Sequence, residues 1–248
     1  MNPRPQRHCL AAREGRTLPR VDFAAIVAHA SARYRSSGRT AYHFARGKLR
    51  GDPVYRAVLE GGLLPDAGTV LDLGCGGGLM LAALASARGL SGAAPTSASA
   101  RRLVGVETRP GAAAIARRAL GDEAEIVTDD VRRRQLPRAH AILLFDVLNM
   151  MRAADQDALL AVLLSALEPG GVLLVREADA AAGGRFRAVR VGNTLKAWLT
   201  GASTREFHFR PRAEWCRWLE KAGLTVETHP MGMGTPFGNV LLMGRKGA

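Results

Sequence analysis

The residues best suited to chemistry lie in Asp72-Leu-Gly74-Cys75-Gly76-Gly-Gly78. Glycines at alternate positions let a chain bend sharply and let a ligand come close where a Cβ would otherwise stand. The apolar run Val70-Leu-Asp-Leu73 enters this bend, and a helical pattern from Leu79 to Arg88 leaves it. A helix opening there aims free N–H groups and the positive end of its dipole at the bend, which favours a carboxylate or a phosphate. A second acidic group, Glu107, closes Val104-Gly-Val-Glu107, where a carboxylate could accept hydrogen bonds from both hydroxyls of a ribose. A dinucleotide-binding loop would read G-x-G-x-x-G/A, but Leu79 stands where that pattern needs glycine or alanine. Glu107 is also farther from the loop than the usual spacing of about 20 residues, an excess that the small-residue stretch Ser91 to Ala100 accounts for.

The elements that must hold these groups can be read from periodicity. Strands are expected at Val70 to Leu73, Leu103 to Val106, Ala124 to Val127, Ala139 to Phe145 and Val172 to Val175. Helices alternate with them at Leu79 to Arg88, Ala112 to Leu120 and Ala154 to Leu167, with a turn at Pro169-Gly170-Gly171. Such alternation means βαβ units, a parallel sheet and helices on both faces. Ligands bind such sheets beyond the carboxyl ends of the strands. Ahead of this domain, residues 21–62 read as a helical cap. It has apolar positions Phe23, Ile26, Val27 and Ala30 on one face and an N-cap with first-turn proline at Asp52-Pro53. After Asp179 the pattern blurs. Ala180 to Thr200 reads as helical but broken at Gly183-Gly184, Pro211 to Ala222 as a helix, and Thr225 to Thr228 and Val240 to Met243 as final strands. Residues 63–248 thus form the main domain, and residues 1–20 a disordered tail.

Asp72-x-Gly74-x-Gly76-x-Gly78 at a strand end resembles the first motif of class I S-adenosylmethionine (SAM)-dependent methyltransferases. Glu107 matches the ribose-binding position of that family. Asp130, with Asp129 as the alternative, matches the acidic residue that takes the adenine amino group, followed by Val131. Helix-capping aspartates would give the same local sequence. Leu144-Phe-Asp146-Val-Leu-Asn149 and Leu167-Glu-Pro-Gly-Gly171 are similar to the family's later motifs. The resemblance spans residues 69–177. It implies a Rossmann-like α/β fold with seven strands, the last antiparallel. It also implies that SAM is held by Asp72, Gly74, Cys75, Gly76, Gly78, Glu107, Asp130, Val131 and Asp146. A narrower resemblance, to methyltransferases encoded beside bacterial aryl-polyene pigment genes, rests on the run Tyr42 to Pro53, Gly62-Leu-Leu-Pro-Asp66, Leu71 to Gly76, and Gly234 to Leu242. Gly77 departs from the glutamine usual there. That resemblance implies an aromatic acceptor, methylated on carbon or oxygen, either free or tethered to an acyl carrier protein to which a basic surface would serve docking.

The sulfonium methyl of SAM is already activated, so transfer demands positioning above all. A base is needed only where the acceptor must lose a proton. Two candidates are His43, between Tyr42 and Phe44, and His208, between Phe207 and Phe209. Helix packing explains the first cluster equally well. Tyr42, Asn149 and Glu177 are candidate acceptor contacts. The fourth strand ends Phe-Asp-Val-Leu-Asn, not in the N/D-P-P-Y/F signature of many amino-group methyltransferases, and no clustered acids and histidines suggest a metal.

The bulk properties bound the rest. The longest apolar run, Ala158 to Leu167, has ten residues, against the roughly 20 a membrane span needs. Cys9, Cys75 and Cys216 are too scattered for disulfides or zinc, so a cytoplasmic location is expected, and Cys75 reads as a small filler of the loop. A net charge of +13, from 35 basic and 22 acidic residues, favours an anionic partner. The basic residues are spread along the chain and only four are lysines, which fits a GC-rich genome as well as a nucleic-acid footprint. The expected reading is methyl transfer to a small aromatic or polyketide-like molecule. RNA methylation and a non-catalytic SAM-binding subunit are the alternatives.

Overall fold

A computed structural model describes residues 22–91, 101–132, 135–184, 207–232 and 238–248. The cap consists of α1 (Phe23–Ala32), α2 (Arg39–Gly51) and α3 (Pro53–Glu60). Asp22 caps α1 by accepting from the Ala24 amide at 3.2 Å, and Phe23, Ile26, Val27 and Ala30 are buried on one face, as their spacing predicts. Asp52 ends α2 and caps α3, accepting from the Val54 amide at 3.1 Å, with Pro53 in the first turn.

The main domain follows as β1 (Gly68–Leu73), α4 (Leu79–Leu90), β2 (Arg101–Glu107), α5 (Pro110–Leu120), β3 (Glu125–Thr128), β4 (Ala139–Phe145), α6 (Ala153–Ala166), β5 (Leu167–Ala178), α7 (Arg212–Lys221), β6 (Leu224–Pro230) and β7 (Asn239–Lys246). The strands form one seven-stranded sheet in the order β3-β2-β1-β4-β5-β7-β6. The β1–β5 pairings are parallel, and β7 runs antiparallel to both β5 and β6, which bears out the expected seven-stranded fold with a reversed last strand.

Side-chain alternation divides the core between the two faces of the sheet. Val70, Ala141 and Leu143 pack with the residues of α1 to α5. Leu71, Leu73, Ile142 and Leu144 pack with Leu159 and Leu163 of α6 and with Trp215 and Leu219 of α7. Asp72, two positions after Val70, therefore faces the cap.

Most elements extend a few residues beyond the sequence reading, and the junction of α6 and β5 differs in kind. The helix ends at Ala166, and β5 already begins at Leu167, so Pro169-Gly170-Gly171 lies within a strand that shifts register against β4 between Ala139 and Ala141. Gly170, at φ +72°, absorbs the irregularity that periodicity alone reads as a turn. The tail 1–20, nearly all of the stretch Ser91 to Ala100, most of Ala180 to Thr200, and Gly234 to Phe237 lie outside the described residues.

Candidate cofactor and acceptor site

The carboxyl ends of β1 and β2 lie side by side, and the loop after β1 folds over the end of β2. The Val106 carbonyl accepts from the amides of Gly74 at 2.8 Å and Cys75 at 3.1 Å. Gly76 has φ +58°, and the nearest atoms to an added Cβ are Arg109 Nη2 at 3.7 Å and Glu107 Oε2 at 4.0 Å, so the space above it is open toward Glu107. Gly78 is under a different constraint. At φ +76°, an added Cβ would stand 2.9 Å from Leu120 Cδ1 and 3.1 Å from Ala116 Cβ, so this glycine lets α4 seat against α5. No side chain caps α4, so its first amides face the loop.

Cys75 turns away from the open space. Its Sγ would lie 2.8 Å from a Cβ on Gly105 of β2, and burial, reinforced by the charge of Asp72, pushes the thiol well above its ordinary range. The side chain fills the underside of the loop, so any contact of Cys75 with a ligand is through its backbone.

Glu107 accepts from the Gly76 amide at 2.8 Å, and from Arg109 through the backbone amide at 2.9 Å and Nε at 3.0 Å. Burial alone would raise its pKa, but the hydrogen bonds and charge of Arg109 outweigh it and hold the carboxyl below its ordinary range. Asp72 behaves in the opposite way. It is 4% exposed, and burial together with repulsion from Glu107 pushes its pKa up to about 7. A cationic ligand over the loop would favour its charged form. The open cradle over Gly76, an ionised Glu107 at the neighbouring strand end and a buried acid next to it all fit a nucleoside carrying positive charge.

Asp130 follows β3 and is gripped by Arg132, whose Nη2 lies 2.6 Å from Oδ2, while Val131 beside it is 5% exposed. Asp146 sits just past β4 in the left-handed region, at φ +58°. Its carboxylate pairs with Arg176 of β5, which is itself 4% exposed and also pairs with Asp52 of the cap. Lys48 adds a second cation on Asp52 at 2.7 Å.

The acceptor-side candidates fall on two parts of the fold, Tyr42 and His43 on the cap and Asn149, Glu177 and His208 near the carboxyl end of β4. His43 points to solvent because Ala45 and Leu49 form the buried face of α2 and position 43 falls opposite them. It meets Tyr42 edge-on at 5.0 Å, and Tyr42 in turn is engaged by Arg35 and Arg46, so this pair lies on the outer face of the cap. Glu177 is fully buried. Its oxygens accept from the Leu148 amide and from Asn149 Nδ2, both at 2.8 Å, so Asn149 and Glu177 together hold the turn Leu148–Met150. The alternation of β5 explains why: Arg176 faces the cap and Glu177 the opposite side. His208 is partly buried, and its amide donates to the Asn149 carbonyl at 2.8 Å, which fixes its backbone beside the β4 tip. Phe207 and Phe209 stack at 5.9 Å.

Sequence reasoning missed three participants. Tyr34 donates its hydroxyl to the Gly77 carbonyl at 2.8 Å, Arg109 covers Glu107, and Arg176 links Asp52 to Asp146. For Arg176 a signal was present, since two charged residues stand together at the end of the apolar run Val172-Leu-Leu-Val-Arg-Glu177.

Residues 43–229 match the family of methyltransferase domains, and the chain belongs to that family. The match begins inside α2, so it includes part of the cap. A carboxy-S-adenosyl-L-methionine synthase from Chromohalobacter salexigens is 37% identical over 113 residues, which is 44% of this chain and 39% of that protein. Among solved structures, an O-methyltransferase family protein from Burkholderia thailandensis superposes with a TM-score of 0.64 at 20% identity, covering 88% of this chain and 62% of that one. Human N-acetylserotonin methyltransferase in complex with SAM gives a TM-score of 0.59 at 18% identity, covering 91% and 59%. The chain thus spans less than two thirds of each of these relatives, and the structural likeness is one of fold. Among the described residues no helix is long and apolar enough to cross a membrane.

Proposed function

We propose that this SAM-dependent methyltransferase places a methyl group on an oxygen or carbon of a small aromatic or polyketide-like acceptor, free or tethered to an acyl carrier protein, in the cytoplasm. The observation that carries the reading is Glu107, an ionised carboxylate fixed to the Gly76 amide at 2.8 Å beside the open space over that glycine. When bound, SAM supplies an activated methyl group, so the task of the protein is to bind, orient and exclude water. In this reading Glu107 holds the ribose hydroxyls and Asp130, with Val131, the adenine. The backbone of Gly74, Cys75, Gly76 and Gly78 cradles the rest, and Asp72 and Asp146 provide negative charge toward the cationic end. The names of the structural neighbours, an O-methyltransferase family protein and an N-acetylserotonin methyltransferase, support a small-molecule acceptor. For a hydroxyl acceptor, His208 beside the β4 tip is the base this reading retains.

Calorimetry on the purified chain tests the cofactor. Wild type binds SAM, and Asp72→Ala and Glu107→Ala each weaken it at least about tenfold, the scale of a lost hydrogen bond to a charged group. Labelled SAM incubated with an extract of the protein's own cells then yields a labelled small molecule. No heat with SAM, or clear heat with NAD, overturns the cofactor assignment, and label recovered in RNA overturns the acceptor class.

A further inference from the structure

The excess of 35 basic over 22 acidic residues is spread along the sequence, and the fold brings several of the unpaired cations together on one helix face. Ion pairs occupy arginines on most elements, from Arg33 with Glu123 beside the cap to Arg210 with Asp157 beside α7. The outer face of α2 is different. Arg39, Arg46 and Arg50 are all exposed, and none has an acidic partner among the described residues. The nearest acid, Asp52, is already held by Lys48 and Arg176. With His43, these three recur at spacings of four, three and four residues, which aligns them in one stripe roughly 16 Å long. Beside the stripe Gly47 leaves the backbone bare, with nothing within 4 Å of an added Cβ, and across that bare row, on the next flank of the helix, Phe44 is 65% exposed.

We propose that this face of α2 is a docking surface for an acidic helix of a partner protein. The chain itself cannot neutralise the stripe. Of its 22 acidic residues only Glu14 and Glu206 lie outside the described residues, and a second copy brings a further net charge of +13. A nucleic-acid duplex would satisfy the cations through its phosphates but bury no apolar surface on Phe44, and a single strand, whose bases could stack on that ring, is set against the helix in the test below. A helix with carboxylates at the same four-three-four spacing satisfies the arginines and lays apolar side chains over Phe44, the mixture of buried aromatic and polar rim that protein interfaces show. The proposal goes beyond the methyl-transfer reading and does not require it.

Fluorescence anisotropy of the full chain tests it with four probes. These are a labelled helical peptide carrying glutamates at that spacing with leucines between them, its scrambled version, a single-stranded RNA oligonucleotide, and vesicles of anionic phospholipid. The ordered peptide is expected to bind saturably, more tightly than the other three, and more weakly as salt rises. The triple variant Arg39→Glu, Arg46→Glu, Arg50→Glu should weaken it at least tenfold, and Phe44→Ser alone at least threefold. SAM calorimetry on the same variants, at wild-type affinity, shows that they are folded. A wild type that binds the peptide but not SAM would fail the cofactor reading alone. Absence of saturable peptide binding, equal binding of the scrambled peptide, indifference to the triple reversal, or tighter binding of RNA or vesicles through the same arginines each overturns the docking surface.

Discussion

The hydroxyl of Tyr34 donates to the carbonyl of Gly77 at 2.8 Å, joining the end of the cap's first helical segment to the middle of the cofactor loop. Tyr34 is 2% exposed, and burial pushes its phenol far above the ordinary range, so it stays a neutral donor. Next to it Arg33 Nε donates to Ser86 of α4 at 3.1 Å, and His29 lies 3.3 Å from the same hydroxyl. The cap therefore sets the shape of the loop from behind.

Tyr34→Phe keeps the ring and removes only the donor, leaving the Gly77 carbonyl with one partner fewer. The expected loss of stability is about 1 kcal/mol by denaturant titration, with SAM affinity falling severalfold by calorimetry. A stability loss with unchanged affinity would mean that the loop keeps its shape without this bond.

The two buried acids give the protein an uncommon response to pH. Burial raises Asp72, aided by Glu107, and raises Glu177, each to about 7. In the unfolded chain both would ionise near pH 4. Between about pH 4 and 7 the folded state thus binds more protons than the unfolded state, so these groups make stability fall as pH rises through that window and level off above it. A cation bound over the loop favours ionised Asp72, so SAM affinity should rise from about pH 6 to 8, with a proton released on binding. Calorimetry in buffers of different ionisation heat measures that proton. Asp72→Asn should abolish its release, and a release unchanged in this variant assigns it to another group.

Much of the frame was legible in the sequence because it obeys local rules. The spacing of Phe23, Ile26, Val27 and Ala30 marks a helix face, Asp52-Pro53 marks a helix start, and the alternating strands and helices dictate the parallel sheet. The loop and Glu107 were legible because the glycines and the acid are close to one another in the chain as well as in space. What stayed hidden depends on long-range contacts or on helical phase. Arg176 and Asp52 are 124 positions apart, and nothing local to either reveals the other. His43 looked chemical because it lies between aromatic residues in sequence, but the buried Ala45 and Leu49 rotate it outward. Glu177 and Asn149 were correctly placed at strand ends, but which face of the sheet they took was settled only by the register of β5.

Arg109 and a ribose would compete for the same carboxylate. In this structure Glu107 receives the Gly76 amide, three donors of Arg109 and, at 3.4 Å, the Thr108 hydroxyl, which fills the roughly four lone-pair sites a carboxylate offers. The Arg109 side chain is 70% exposed, so it can leave its place without unfolding anything around it. Arg109→Ala should therefore raise SAM affinity severalfold, measured by calorimetry at fixed pH. A loss of affinity would instead show that Arg109 helps by keeping Glu107 ionised.

Arg176 is the cation on which two carboxylates from different parts of the fold converge. Asp146 is held at φ +58°, a conformation that costs a residue other than glycine about 1 kcal/mol or more, by a bond from its amide to the Arg176 carbonyl at 2.9 Å and by the ion pair. Arg176→Met fits the space but leaves Asp52 with Lys48 alone and Asp146 without its ion-pair partner. Breaking a buried pair in this way is expected to cost about 3–5 kcal/mol in denaturant titrations. Adding Asp52→Asn removes one stranded charge and should recover part of that loss, because an amide can remain near Val54 without needing a counter-ion. Hydrogen exchange at the first turn of α3 should accelerate in Arg176→Met and slow again in the double variant. If the single variant is as stable as wild type, the cap is held by its apolar face alone, and the charges at the carboxyl edge of the sheet are free to serve the ligand.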